Sequence, residues 1–394
     1  MPFIGNKPTA IPLSADDLED NIISTAKIQD NAVTPAKYIE PIPFRNIIIN
    51  GDMSIAQRGT SFTSVTSNTY TLDRWLTSGT GYTLTITQDT DVPTGQGFAK
   101  STKLQVTTAN ASPSAADNLQ YQTRLEGQML QYLKFGTSSA ESLTMSFWVK
   151  SNLTGVYCTE FQNDDNDKTR GANFTISSAN TWEKKTITIS GDTASGFTND
   201  NNRSMRLSFG LMSGSNTTGT NASIANWVTR SSNLTSIYPN LGVNFCSSTS
   251  NYINITGVQL EAGTTASDFE FLPVDVNLAR CYRYYQKSYL YGTALGTTTL
   301  VGIKTSGGGA GSLTTGYIYG DIQLHGSMRA SPTVTLYDNS GNSGVCARLN
   351  GGVARTDNQN ATAYDSGEHS FSISSTGTAN AGSMECHFEA SSEL

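Results

Sequence analysis

Aromatic side chains with polar neighbours are the residues of this sequence best suited to chemistry. The flat face of a Trp or Tyr ring stacks on the C–H face of a sugar, while nearby amide, hydroxyl and guanidinium groups bind its hydroxyls. In the first two thirds of the chain this pattern favours Trp75 and Trp182. A structural role in packing stays open for every candidate of this kind. Further candidates flank predicted turns near the end of the chain, where loops on a β scaffold often carry recognition: Tyr317, Tyr319, His325, Tyr337, Arg348, Arg355 and Tyr364.

Catalytic signatures are missing from the sequence. It contains no GxSxG, HExxH or P-loop motif, and its three histidines, His325, His369 and His387, all lie in the last part of the chain. Asp and Glu are numerous, so a carboxylate pair for glycoside hydrolysis stays open, because the separation it needs cannot be seen in a sequence. We expect the protein not to be an enzyme.

Metal and cofactor motifs are weak as well. The five cysteines show no CxxC or CxH spacing, and an odd number cannot all pair within one chain, so we expect buried free thiols. The run Asn163-Asp164-Asp165-Asn166-Asp167 is rich in oxygen ligands, but it lacks the glycine and the distal glutamate of an EF-hand loop. A plain turn is the preferred interpretation, and we predict no metal site and no cofactor.

The composition indicates a β protein. Only 14% of residues are charged, the net charge is −7, and the chain contains 36 glycines. No basic stripe is present for phosphates, which argues against a nucleic-acid binder. We also expect no membrane insertion, since no segment approaches the roughly 20 apolar residues that a spanning helix needs, and no secretory signal.

Alternating apolar and polar residues predict an all-β fold with several domains. Residues 143–150 and 205–211 each place apolar side chains on one face, the signature of a half-buried antiparallel strand. We assign residues 46–272 to a jelly-roll β-sandwich with one short helix in residues 118–135. The polar residues 163–168 predict a hairpin turn, and Gly257, where the alternation shifts, predicts a β-bulge.

A smaller β domain is predicted to follow. Residues 273–288 read as a short helical linker capped by Asp275, and residues 289–394 as a C-terminal β-sandwich tip. In the last strand, Glu385, His387 and Glu389 alternate with apolar residues, which predicts a charged, exposed edge. A run of tyrosines from Tyr282 to Tyr291 predicts packing around a three-fold axis.

We predict that residues 1–45 form an extended segment and not a compact domain. They contain a ten-residue echo, DNIISTAK against DNAVTPAK, with too little apolar surface to fold alone. Copies wound about a shared axis would bury that surface, so we predict a stalk that attaches a homotrimer; a disordered leader is the alternative. The apolar residues expected to serve attachment are Phe3, Ile4, Ile11, Leu13, Ile22, Ile23 and Ile28.

Several motifs resemble bacteriophage tail fibres in the same order. They are NIIINGDMSIAQRGTS, DRW, LTMSFWVKS, GVQLEAGTTASDFEFLPVDVNLARCYRYYQKS and MRASPTVTLYD. The resemblance implies a jelly roll similar to carbohydrate-binding modules joined to a receptor-binding tip, with a structural calcium near Asp52 or Glu261 as a further possibility.

By the same resemblance, the protein would be made in the host cytoplasm and built into the virion as a tail fibre. The N-terminal segment would dock on another tail protein, an adaptor or nozzle, and the trimer would bind a bacterial surface glycan. A capsid-attached decoration fibre, a free carbohydrate-binding module and a glycan depolymerase remain as alternatives.

Overall fold

The computed structural model describes residues 44–216, 225–230, 238, 240–306, 316–350, 354–377 and 381–394. The predicted stalk lies outside this part of the chain except for residues 44 and 45, and so do all seven of its attachment candidates. The side chains of Tyr317 and Tyr319 are also outside the description. Among the described helices, none is long and apolar enough to cross a membrane.

The first domain is a jelly-roll sandwich of two antiparallel sheets, as the sequence predicted. One sheet has six strands in the order β1-β4-β5-β13-β7-β10, and the other has seven in the order β12-β9-β8-β11-β6-β3-β2. Short 3-10 helices occupy Gly127–Met129, Gln131–Leu133 and Phe245–Ser247. The strands are β1 Ser61–Val65, β2 Thr69–Tyr70, β3 Leu76–Thr80, β4 Thr83–Asp89, β5 Ser101–Thr108, β6 Asn118–Glu126, β7 Leu143–Ser151, β8 Gly155–Asn163, β9 Lys168–Ile176, β10 Glu183–Ile189, β11 Arg203–Ser213, β12 Val228–Thr229 and β13 Tyr252–Ala262.

The core between these sheets follows from the alternation of the strands. Phe147 of β7 and Phe209 of β11 have no exposed surface, and their rings meet edge to face with centroids 5.0 Å apart. Trp75 stacks on Tyr121 at 5.2 Å and donates its indole hydrogen to the carbonyl of Asn50. Burying one ring of this size contributes about 1.5–3 kcal/mol, so this aromatic cluster is a main source of the sandwich's stability.

The predicted helix in residues 118–135 is wrong. This stretch forms β6, which pairs with β3 on one edge and β11 on the other, and then two 3-10 turns. The apparent helical spacing arose because it joined inward residues of a strand to residues of the following turns. The strand stops at Gly127, where a Cβ atom would lie 1.9 Å from the carbonyl oxygen of Thr198.

The seam between the domains is confirmed as a bulge followed by a helix. The pairing of β13 with β7 shifts between Thr256 and Gln259, and Gly257 has a φ of 61°. The helix α1, Val274–Tyr282, begins after Pro273, which makes no side-chain cap. Asp275 therefore lies in the first turn and is not the N-cap residue that the sequence predicted.

The second domain is one antiparallel sheet that curls around its own core. Its order is β14-β21-β18-β19-β20-β16, and β15 and β17 also pair with β21. Residues of β16 and β20 meet residues of β17, β18 and β21 in a single apolar cluster. The strands are β14 Tyr285–Lys287, β15 Lys304–Ser306, β16 Gly316–Gln323, β17 Thr333–Tyr337, β18 Val345–Asn350, β19 Ala354–Tyr364, β20 Ser370–Gly377 and β21 Ala381–Ser391.

The last strand is central in this sheet and not the exposed edge that was predicted. β14 and β17 flank the C-terminal half of β21, and β15 and β18 flank its N-terminal half. His387 has no exposed surface, because Ser288 and Thr299 bond its two ring nitrogens and Tyr289 stacks on it at 3.9 Å. Alternation in the sequence shows that a strand has an apolar and a polar face. It does not show that other parts of the chain cover the polar face.

Buried charges join the sandwich to the second domain. Glu126, at the end of β6, accepts two hydrogen bonds of 2.7 Å from Arg283 and a third from Tyr284. Burial alone would raise the pKa of Glu126, but these bonds outweigh it and hold the pKa below its ordinary value. Arg74 pairs with Glu393 and lies 3.4 Å from the centre of the Tyr284 ring.

The tyrosine run consequently packs within one chain and does not need a three-fold axis. Tyr285 donates to Glu389, Tyr291 bonds the backbone at Ser54 and Ala56, and Tyr289 covers His387. The three-fold axis expected at this cluster stays a prediction, because all of these contacts lie within one chain.

Replacing Arg283 with Met should lower the free energy of unfolding by about 3–5 kcal/mol, because Glu126 would stay buried without its counter-charge. Urea titration followed by tryptophan fluorescence measures the change. Arg203→Met is the matched control: Asp164 keeps its bonds from Arg206, so the expected loss is about 1 kcal/mol or less. Equal losses for the two variants would contradict the role assigned to the junction.

Candidate functional site

The outer face of the seven-stranded sheet is polar but is not open to water. Register places side chains of β6, β8, β9 and β11 side by side there, pointing away from the core. Gln122, Glu160 and Ser208 form one row across three strands, and each is exposed by 1% or less. We call this surface the polar face; its residues are Gln120, Gln122, Glu160, Gln162, Thr169, Asn173, Arg206 and Ser208.

Several buried polar atoms of this face make no hydrogen bond within the part of the chain that the structure describes. They are Nε2 of Gln122, Oε1 of Gln162 and Oδ1 of Asn173, and above the face the hydroxyl of Tyr238 and Nε of Arg230. Each buried polar atom left unpaired costs about 1–3 kcal/mol. Native structures pair nearly all such atoms with protein, water or ligand, so these atoms are free to bond a polar molecule that reaches them.

Tyr238 supplies an aromatic surface over the polar face. It is fully buried and packs with Cys158 and Leu241. Its ring rests on Gly210 of β11, where a Cβ atom would come within 2.4 Å of a ring carbon. A glycine at this position therefore lets the ring approach the sheet backbone.

The charges of the face are arranged around Glu160 and Asp164. Burial raises the pKa of Glu160 against the opposing effects of Arg206, a hydrogen bond of 2.7 Å from Thr169, and Arg230. Asp164, in the turn between β8 and β9, accepts bonds of 2.6 and 3.0 Å from Arg206 and one of 2.8 Å from Arg203. Arg206 is thus neutralised and held in place at the rim of the face.

This arrangement is suited to binding a polyhydroxylated molecule. Amide groups offer donors and acceptors for hydroxyls, whereas the ring of Tyr238 is fully buried against Gly210 and is not exposed for stacking. The described part of the chain contains no group of three or more His, Cys, Asp or Glu side chains that could hold a metal ion. The two carboxyl positions suggested for calcium instead make hydrogen bonds: Asp52 accepts one from Asn277, and Glu261 accepts them from Ser267 and Gln259.

The two tryptophans favoured by the sequence lie elsewhere. Trp75 is fully buried in the core of the sandwich and cannot reach a sugar, which corrects that expectation. Trp182 is partly exposed on the other side of the molecule, beside β10. Its indole donates to Asp91 at 2.9 Å, and Lys150 pairs with the same carboxylate while lying 5.8 Å above the ring.

The described candidates of the second domain are divided among separate places. Tyr337 donates to Glu389 at 2.8 Å, and Arg355 pairs with Glu385 at 2.6 Å. His325 is exposed and stacks on Tyr282 at 5.2 Å. Tyr364 lies opposite Ser372 in the sheet, and Arg348 is buried to 7% exposure. In the backbone register, Tyr317 and Tyr319 lie opposite Thr376 and Ser374.

Sequence reasoning missed the polar face. Its residues occupy the outward positions of strands, where Gln, Ser and Thr are ordinary solvent-facing choices. One signal was present: Gly210 interrupts the outward positions of the stretch 205–211, and glycine inside a strand often marks a close approach by another group. Tyr238 is far away in sequence, so nothing local linked the two.

Comparisons with known proteins give likeness in structure only. No protein-family model matches the chain, and no curated protein matches its sequence. Similar solved structures include a tailspike protein domain of bacteriophage CBA120, with 14% identity, 56% of this chain and 22% of that domain covered, and a TM-score of 0.30. A family 61 carbohydrate-binding module in complex with β-1,4-galactotriose has 10% identity, covers 55% of this chain and 99% of its own, and has a TM-score of 0.29.

A xylan-binding domain from Paenibacillus barcinonensis is also similar, with 13% identity, 54% of this chain and 100% of that domain covered, and a TM-score of 0.25. The chain spans less than a quarter of the tailspike domain's length. Identity and TM-score are low throughout, and the fold described above rests on the strand pairing itself.

Replacing Glu160 with Gln should remove a pH-dependent loss of stability. The unfolded carboxyl titrates near 4.5 and the folded pKa is higher, so the carboxyl favours the folded state below about 4.5 and disfavours it increasingly as pH rises above that value. We expect Glu160→Gln to gain stability relative to the native chain between pH 4.5 and 7, measured by urea unfolding.

Glu141→Gln, which changes a partly exposed carboxylate paired with Lys134, serves as the control, with no such gain. A difference between Glu160→Gln and the native chain that stays constant across this pH range would contradict the assignment.

Proposed function

We propose that this protein binds a bacterial surface glycan through the polar face of its sandwich, and that it does so as a phage tail fibre. The observation that carries the proposal is the cluster of buried polar atoms of the polar face that have no hydrogen-bond partner among the described residues. A sugar fits this chemistry because it offers hydroxyls to the amide groups. We infer that the protein acts by binding and not by catalysis.

The fibre role is supported by the order of the motifs in the chain. Residues 46–61 and 257–288, which resemble tail-fibre segments, frame the sandwich. In this proposal the protein is part of the virion, residues 1–45 dock on another tail protein, and the second domain meets the cell. A homotrimer would present three copies of a weak site and gain affinity through effective concentration without any new contact.

Replacing Gln122 with Met tests the site directly. The side chains have similar volume, and the variant removes the unpaired Nε2, so we expect binding to weaken by about tenfold or more while thermal stability stays equal or rises. The measurement is an array of purified bacterial surface polysaccharides, followed by titration of the best hit.

Trp182→Ala is the discriminating control, because Trp182 lies on the opposite side of the sandwich. It should leave binding unchanged. Loss of binding in Trp182→Ala together with full binding in Gln122→Met would refute the polar face as the site.

The mass of the full-length chain in solution tests the fibre arrangement. Light scattering should give three times the chain mass of 42.1 kDa. A monomer at all concentrations would contradict the trimer and leave a single-chain glycan-binding protein.

A further inference from the structure

Arg348 brings a positive charge into the interior of the second domain. It lies in β18 opposite Met384 of β21, a core residue with no exposed surface. Residues opposite each other in antiparallel strands project from the same face of the sheet. The side chain of Arg348 therefore enters from the core side, and only 7% of the residue is exposed.

The surroundings of Arg348 do not neutralise it. Nη2 donates to the Ser375 hydroxyl at 3.0 Å, and this hydroxyl donates to the carbonyl of Asn360. Nε is buried without a hydrogen bond. No ion pair among the described residues includes Arg348.

The stretches that adjoin β15, β18 and β20 in the sequence also lack acidic residues. Residues 307–315, 351–353 and 378–380 contain no Asp or Glu. The neighbouring Arg355 already has a partner, since it pairs with Glu385 on the other face of β21. A charge buried without a counter-charge is strongly unfavourable, so a ligand that provides one would be held firmly.

The position of Arg348 is remote from the sandwich. Ser392, Glu393 and Leu394 contact residues of the junction. Met384 lies ten residues before Leu394, which at the rise of a strand corresponds to about 30 Å. Arg348 is thus at the end of the second domain that is remote from the junction.

We propose that Arg348, supported by Ser375, is the anchor of an anion site at this far end, which takes a carboxylate or phosphate group of a surface polymer. The guanidinium presents planar N–H donors that match two oxygens of either group, and Nε has no competing partner among the described residues. The site is separate from the polar face and does not depend on it.

Thermal unfolding of the full chain with inorganic phosphate or digalacturonate, each compared with chloride at equal ionic strength, tests this site. The native protein should gain stability with rising concentration of at least one of the two anions. Arg348→Met should lose this gain and should melt in chloride at or above the native temperature, because it no longer buries an unpaired charge. Arg355→Met, which removes an ion-paired arginine nearby, should keep the gain.

A gain with phosphate alone identifies a phosphate-substituted polymer, and a gain with digalacturonate alone identifies a uronic-acid polymer. If neither anion stabilises the native protein, or if Arg348→Met keeps the gain, the proposal fails. Arg348→Lys is the second variant: it keeps the charge but loses the planar donors, and should bind about tenfold more weakly.

Discussion

Glu126 ends a sandwich strand with a carboxylate that has no exposed surface, and its strong partners Arg283 and Tyr284 come from the chain entering the second domain. Arg74 is the opposite case, because here the sandwich supplies the positive charge. Its partner Glu393 lies among the last residues of the chain. Each domain thus carries charges whose partners belong to the other. Separating the domains would strand these charges, so the sandwich and the second domain behave as one body.

Strands and turns could be predicted from the sequence where apolar and polar side chains alternate and a turn residue interrupts the alternation. The strands around Phe147 and Phe209, the hairpin after Asn163 and the bulge at Gly257 are confirmed because each depends on neighbours in the sequence. β6 was mistaken for a helix because inward positions of a strand and of the next turn can imitate helical spacing. β6 is a strand because it pairs with other strands on both edges. The residues with which it pairs are far away in the sequence.

The residues of the candidate site were even harder to predict from the sequence. The sequence indicated Trp75 and Trp182 because they are aromatic, but residue type does not determine burial. Trp75 lies in the core, and the indole of Trp182 donates a hydrogen bond to Asp91. The residues that form the polar face, such as Gln122 and Gln162, look like ordinary surface choices. They become notable only when strand pairing aligns them and Tyr238 covers them, and both events join distant parts of the chain.

Some buried carboxylates of the chain have several hydrogen-bond partners. Asp338, with no exposed surface, accepts bonds from Ser340, Asn342 and Asn358, and Asp73 takes two from Gln57. Such networks are stable because every desolvated group regains a partner. Donors and acceptors of the polar face and Nε of Arg348 have no such partner among the described residues. In both proposals these groups belong to a body joined by the Glu126 junction, so little further ordering would be needed when a ligand binds.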